Sequence, residues 1–110
     1  MEKINREVII LPRFQTSLIG IWHFIANDSL KQADIFLRDI EQIMNKIEHY
    51  PEANPVFKPL DGLRKLYRYK IFKKNYFIVY KLLNTKLIYI RVVHSKQNPE
   101  FYKTLRTVGY

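Results

Sequence analysis

Hydrophobic and polar positions along the 110-residue chain follow a helical period in the first half and a strand period in the second. A short apolar run predicts a first strand over 8–11. Apolar residues then recur at spacings of three and four, as on one face of a helix, and predict helices over 13–26 and 29–50. Ser29 and Gln32 have the form of a capping box at the start of the second helix.

The period changes after Pro51, where alternating β-branched and aromatic residues take over from the helical stripe. They predict strands over 65–72, 76–83 and 87–94, and Pro99 opens a last helix over 99–107. Short turns between the strands imply an antiparallel meander. We therefore expect one α+β domain over residues 1–110, in the order β-α-α-β-β-β-α, with a two-helix antiparallel hairpin packed on a small twisted, mainly antiparallel sheet.

The basic charge of the chain lies entirely in its second half. Nineteen Lys and Arg residues against ten Asp and Glu give a net charge of +9. Residues 1–55 carry six basic and eight acidic residues, a net of −2, and residues 56–110 carry thirteen basic and two acidic residues, a net of +11. Such segregation favours an acidic partner, either nucleic acid or an acidic protein. The alternative is a surface made basic for solubility, which does not require segregation.

Several classes of protein are excluded or disfavoured by composition. The chain has no cysteine, so disulfide frameworks, thiolate zinc sites and cysteine nucleophiles are excluded. No apolar run approaches the roughly 20 residues of a membrane-spanning helix, and the apolar stretch near the N-terminus is too short for a signal peptide. The three histidines are too scattered to suggest a metal site. We expect a cytoplasmic, basic protein that uses no metal or cofactor and contacts no membrane.

Several short segments, taken in order, resemble those of a known family. They are IWHFI at 21–25, EHYP at 48–51, LDGLRKL at 60–66, YKI at 69–71, YFIVY at 76–80 and IRVVHSKQNP at 90–99. With the β-α-α-β-β-β order, they make residues 8–103 resemble the RelE/ParE toxins of bacterial type II toxin–antitoxin systems, which act in plasmid stabilisation.

The resemblance implies a toxin that inhibits growth and is held inactive by a co-expressed acidic antitoxin in a hetero-oligomer. It leaves two activities open. ParE-like members poison DNA gyrase, whereas RelE-like members cut messenger RNA on the ribosome as mRNA interferases. A third hypothesis, from another class, is a nucleic-acid-binding module without toxicity.

An RNA-cleaving toxin would need residues that activate a 2′-hydroxyl, stabilise a developing phosphorane charge and protonate the leaving oxygen without a metal. His94 is the best candidate for proton transfer, since its ordinary pKa is about 6.5; the alternative is a hydrogen-bonding histidine at the sheet edge. The resemblance places three more residues on nuclease positions. The candidate catalytic set is Lys70, His94, Lys96 and Tyr102.

The same comparison weakens the nuclease hypothesis. Phe72 and Phe77 fall where the family's nucleases carry Lys and Arg. Lys96 stands where an Arg is usual, and it lacks the planar fork that grips phosphate at two points. The long helical hairpin and the closing segment look more like ParE. We therefore favour a non-enzymatic toxin that binds gyrase.

Basic residues of the second half are the candidates for contact with the target or with phosphate. They are Arg64, Lys65, Arg68, Lys73, Lys74 and Arg91, with Lys70 on the same strand as Arg68. The alternative is a solvated strand face and turn. For the tyrosines of this half, packing in the core is favoured over base stacking.

Overall fold

Two helices and a four-stranded sheet make up the computed structural model, which describes residues 5–57, 66–73 and 75–94. The elements follow one another in the expected order β-α-α-β-β-β, and the α+β fold class is confirmed. They are β1 (Glu7–Ile10), α1 (Pro12–Ala26), α2 (Leu30–His49), a 3-10 turn (Pro51–Ala53), β2 (Tyr67–Phe72), β3 (Tyr76–Leu82) and β4 (Lys86–His94). The predicted last helix over 99–107 lies outside the described residues.

Local sequence signals set both helix starts. Pro12 opens α1, where its missing N–H costs nothing because the first-turn N–H groups have no partner within the helix. Ser29 caps α2, and its side-chain oxygen accepts a hydrogen bond from the backbone N–H of Gln32 at 3.2 Å. The predicted cap is therefore present.

The sheet has the strand order β1-β4-β3-β2. The strands from β2 to β4 form the antiparallel meander, and β1 pairs in parallel with β4, Ile10 lying opposite Tyr89. Parallel strands need a long connection, and here α1, α2, β2 and β3 lie between β1 and β4 in the sequence. A β-bulge in β4 occurs between the pairs Val79↔Arg91 and Tyr80↔Tyr89.

The helices cover one face of the sheet and form the main core there. Its fully buried side chains are Phe14, Phe36, Ile40, Ile47, Ile78, Tyr80, Leu87, Tyr89 and Val92. The hydroxyl of Tyr89 lies 3.0 Å from the carbonyl oxygen of Met44 and 2.8 Å from Glu48 Oε2. Buried tyrosine hydroxyls generally have such partners, so this core residue also anchors α2 to the sheet.

The opposite face of the sheet holds a second cluster. Val79, Ile88, Ile90 and Val93 are buried there with Phe57, and Tyr67, Tyr69 and Phe77 pack against them. Since β3 and β4 are buried on both faces, they read as nearly continuous apolar runs. The complete burial of Tyr80 and Tyr89 confirms the packing role expected of these two tyrosines.

Candidate functional site

A cleft of about 420 Å³ opens between α1 and the C-terminal end of β4. Basic, aromatic and aliphatic side chains of the described residues line it together. Its lining is Ser17, Gly20, Ile21 and Phe24 from α1, Tyr76 from β3, and Arg91, Val92 and His94 from β4. We call it the α1–β4 cleft.

The cleft exists because β1 is short. Its pairing with β4 ends at Tyr89, and α1 then runs beside the last residues of β4. The backbone N–H of Val92 donates to Ser17 Oγ at 3.0 Å, and that hydroxyl donates to the carbonyl oxygen of Phe14 at 2.8 Å. The serine therefore satisfies a strand amide that β1 leaves unpaired and fixes α1 against β4.

Arg91 on β4 has a second arginine nearby. Burial lowers the pKa of Arg91, and the positive charge of Arg13 lowers it further. Burial also lowers the pKa of Arg13, whose Nε and Nη1 atoms make no hydrogen bond within the described structure. Neither α1 nor β4 contains an Asp or Glu. The two elements therefore bring positive charges together without supplying a carboxylate of their own.

His94 ends β4 and is half-buried beside the cleft. It lies opposite Tyr76 in the sheet, and the two rings meet edge to face with centroids 5.0 Å apart and an interplanar angle of 84°. The structure thus brings His94, Tyr76 and Arg91 to one cleft.

Lys70 lies elsewhere on the sheet. It is on β2, opposite Ile78, which is in turn opposite Val92. From strand spacing and rise, its Cα is about 12 Å from that of His94. Ile78 and Val92 between them are fully buried. Lys96 and Tyr102, the other members of the candidate catalytic set, lie outside the described residues.

Phe72 and Phe77 have structural positions on opposite faces of the sheet. Phe72 is 6% exposed, and its ring centroid lies 5.7 Å from that of Phe36 on α2 and 5.7 Å from that of Tyr76. Phe77 packs on the other face, 5.7 Å from Phe57 and 5.9 Å from Tyr69. The two positions that the resemblance assigns to cations in the nucleases therefore hold packed aromatic rings in this chain.

Two of the candidate binding cations make contacts within the fold. Arg68 Nη1 donates to the carbonyl oxygens of Asn54 at 2.7 Å and Glu52 at 3.4 Å, which ties the 3-10 turn to β2. Lys73 follows β2 with a positive φ of 49°, and its Nζ lies 2.9 Å from Asp39 Oδ2 on α2. Their roles in binding a target stay predictions. Arg64, Lys65 and Lys74 lie outside the described residues.

Sequence reasoning missed Arg13 and the cleft itself. Arg13 and Arg91 stand far apart in the chain, so their proximity depends on how α1 crosses β4. The sequence of α1 did hold one signal for a cleft: the helix has no acidic residue, and Gly20 leaves a gap in an otherwise apolar stretch.

Residues 5–57, 66–73 and 75–94 contain no group of three or more His, Asp or Glu side chains suited to a metal ion. No helix in those ranges has the length and apolar character needed to cross a membrane.

The sequence of this chain matches the model of a known protein family. The family model described as "ParE toxin of type II toxin-antitoxin system, parDE" matches residues 8–99. No protein of curated function matches the chain. The matched range spans the helical hairpin, the sheet and both sides of the α1–β4 cleft. The resemblance inferred from the sequence is confirmed: this chain belongs to the ParE toxin family and is the toxin of a type II toxin–antitoxin system.

Proposed function

We propose that this toxin inhibits bacterial DNA gyrase by binding it, without catalysing a reaction, and that a cognate acidic antitoxin neutralises it in the cytoplasm. The observation that carries the proposal is the position of Phe72. Its ring is buried between α2 and the sheet, at a place where an RNA-cleaving relative carries a cation. A charged side chain there would lose most of its contact with water and the ring packing against Phe36.

The separation of Lys70 from His94 supports the same conclusion. General acid–base catalysis requires the participating groups to lie within hydrogen-bond reach of the same reacting atoms, about 2.6–3.2 Å. The surface between these two residues is closed by Ile78 and Val92, which the helices bury. Lys70 is accordingly absent from the residues that line the cleft beside His94.

RNA cleavage on the ribosome is the second candidate, favoured by one observation. The α1–β4 cleft gathers Arg91, His94 and Tyr76, which are residue types that could hold a phosphate and transfer a proton. The cleft is nonetheless lined in large part by apolar side chains, and Lys70 lies outside it.

Two assays on the purified protein separate the candidates. One follows gyrase-mediated DNA cleavage, and the other follows translation-coupled messenger RNA cleavage on ribosomes. We expect trapped gyrase–DNA cleavage complexes and intact messenger RNA. Ribosome-dependent cuts that disappear on His94→Ala or Tyr102→Phe would establish the nuclease instead. His49→Ala is the matched control, because His49 is exposed at the end of α2.

Neutralisation has a physical basis in the charge distribution. The second half of the chain carries a net charge of +11, which an acidic antitoxin can complement while it covers the target-binding surface. Expression of the chain alone should arrest growth, and co-expression of the small acidic protein encoded beside it should restore growth and raise solubility. A nucleic-acid-binding module without toxicity would leave growth unchanged in both cultures.

A further inference from the structure

The outward face of α1 exposes large apolar side chains and carries no formal charge, although the chain as a whole is strongly basic. Ile19 on this helix is 55% exposed and Phe24 is 72% exposed. Residues 15–24 contain no Lys, Arg, Asp or Glu, whereas the chain has a net charge of +9. An exposed apolar surface beside a cleft is typical of a site that meets another protein.

Gly20 lies between these two side chains, and nothing in the described fold requires a glycine there. Its backbone is helical, a conformation that any residue adopts, and glycine inside a helix lowers stability relative to alanine. A Cβ atom built on Gly20 meets no heavy atom of the described residues within 4 Å, so no neighbour in the fold excludes a side chain. Such a glycine is expected where another backbone approaches closely from outside.

The charge of this face favours a second copy of the chain over nucleic acid. Nucleic acid is held mainly through Lys and Arg side chains that reach its phosphates, and residues 15–24 supply none. Two copies of a chain with a net charge of +9 repel each other. A face without formal charge is where this repulsion is weakest and where two copies can meet.

The face is also complementary to itself. Phe24 is exposed at the rim of the α1–β4 cleft, and Gly20, one helical turn away, lines the same cleft. When two α1 helices cross at Gly20 about a twofold axis, Phe24 of each copy lies over the cleft of the other. Each cleft, with a volume of about 420 Å³, is then completed by an aromatic ring from the second copy.

We propose that this chain forms a twofold dimer in which two α1 helices cross at Gly20 and Phe24 of each copy packs over the α1–β4 cleft of the other. The inference goes beyond the proposed function, because it concerns the free toxin and does not depend on its target. Helix α1 has 15 residues and is about 22 Å long, so a contact along it is smaller than the roughly 800 Å² per partner of a standard interface. We therefore expect a weak dimer, with a Kd of about 1–100 μM.

The absence of cysteine from the chain allows a direct test by cross-linking. Gly20→Cys introduces a single thiol at the proposed crossing, where the two Cα atoms should come within the roughly 4.4–6.8 Å that a disulfide spans. Mild oxidation should link most of this full-length variant into a covalent dimer. Glu41→Cys, on the exposed surface of α2, is the matched control and should stay largely unlinked.

Sedimentation velocity at concentrations from about 1 to 200 μM measures the association without cross-linking. We expect the sedimentation coefficient of the unmodified chain to rise from the monomer to the dimer value across this range. Phe24→Ser should raise the Kd of the dimer by about tenfold or more, because it removes the ring that packs over the second copy's cleft. Tyr50→Ser is its matched control, since Tyr50 is also 72% exposed but lies at the end of α2.

Three results would overturn the dimer. One is a chain that stays monomeric up to about 200 μM. Another is a dimer that survives Phe24→Ser and leaves Gly20→Cys unlinked, which would form through a different surface. The third is a monomeric chain in which Phe24→Ser lowers the melting temperature and Tyr50→Ser does not, which would show that the cleft is covered within one copy by residues outside the described ranges.

Discussion

Ser17 on α1 accepts a hydrogen bond from the backbone N–H of Val92 on β4, with 3.0 Å between Oγ and N. This bond continues the edge of β4 beyond the last residue that β1 pairs, and it holds one wall of the α1–β4 cleft against the other. The Ser17 hydroxyl therefore helps to set the geometry of the cleft.

Ser17→Ala should lower the free energy of unfolding by about 1–2 kcal/mol, because it leaves a half-buried strand amide without a partner. Denaturant-induced unfolding measures the loss. Thr16→Ala is the control, since Thr16 is exposed on the same helix and should change stability by less. Equal stability of the two variants would show that the Ser17 bond contributes nothing.

Tyr80→Phe should destabilise the fold by about 1–3 kcal/mol. The buried hydroxyl of Tyr80 donates to the carbonyl oxygen of Pro51 at 2.5 Å and accepts from Asn54 Nδ2 at 3.0 Å, so its loss leaves two polar groups without their partner. Thermal and denaturant unfolding measure the effect. Tyr50→Phe, at a tyrosine that is 72% exposed, should be close to neutral. A neutral Tyr80→Phe would mean that water replaces the hydroxyl.

Stability should fall in alkali through the buried tyrosines. Burial raises the pKa of Tyr89 well above its ordinary value, and hydrogen bonding to Glu48 and its negative charge raise it further. Burial also raises the pKa of Tyr80. A tyrosine whose pKa is raised in the folded state contributes to the free energy of unfolding. That contribution is complete below the unfolded pKa of about 10 and is lost as the pH rises above it.

The free energy of unfolding should accordingly decline above about pH 10, by up to about 1.4 kcal/mol per pH unit for each tyrosine. Urea unfolding at a series of pH values from 8 to about 11 measures the slope. Tyr89→Phe removes one of the two groups and should make the slope shallower. Equal slopes for this variant and the unmodified chain would show that ionisation of Tyr89 does not cause the loss of stability.

Phe72→Lys should destabilise the fold by about 3–5 kcal/mol and confer no RNA cleavage, since it removes a packed ring and takes a charge out of water. Ile71→Lys is the control: its side chain is 57% exposed, one residue along the same strand, and the variant should fold normally. Unfolding curves and the ribosome assay measure both properties. A stable Phe72→Lys chain that cuts messenger RNA would show that the fold accepts the nuclease constellation.

Local sequence signals were sufficient for the elements but not for their assembly. The helical stripes, the alternation after Pro51 and the Ser29 cap act over a few residues, so each can be read directly from the chain. The strand that pairs with β1 could not be read from the chain, because a run of four apolar residues can pair with either edge of a sheet. The path of the helical hairpin decides in favour of β4.

The candidate site was predictable only in part, for the same reason. His94 was found from its chemistry at a strand end. The grouping of Arg13 with Arg91 depends on the crossing of α1 over β4, and the bulge beside Val79 changes the alternation of side chains along β4. Neither feature leaves a periodic signal in the sequence.

The central claim is tested most directly by titrating the purified toxin into a DNA supercoiling reaction with purified bacterial gyrase. The account predicts that supercoiling stops and cleaved DNA accumulates as toxin is added, and that prior addition of the acidic protein encoded beside it restores the reaction. Full supercoiling at toxin concentrations that arrest growth, together with ribosome-dependent cutting of messenger RNA, would contradict it.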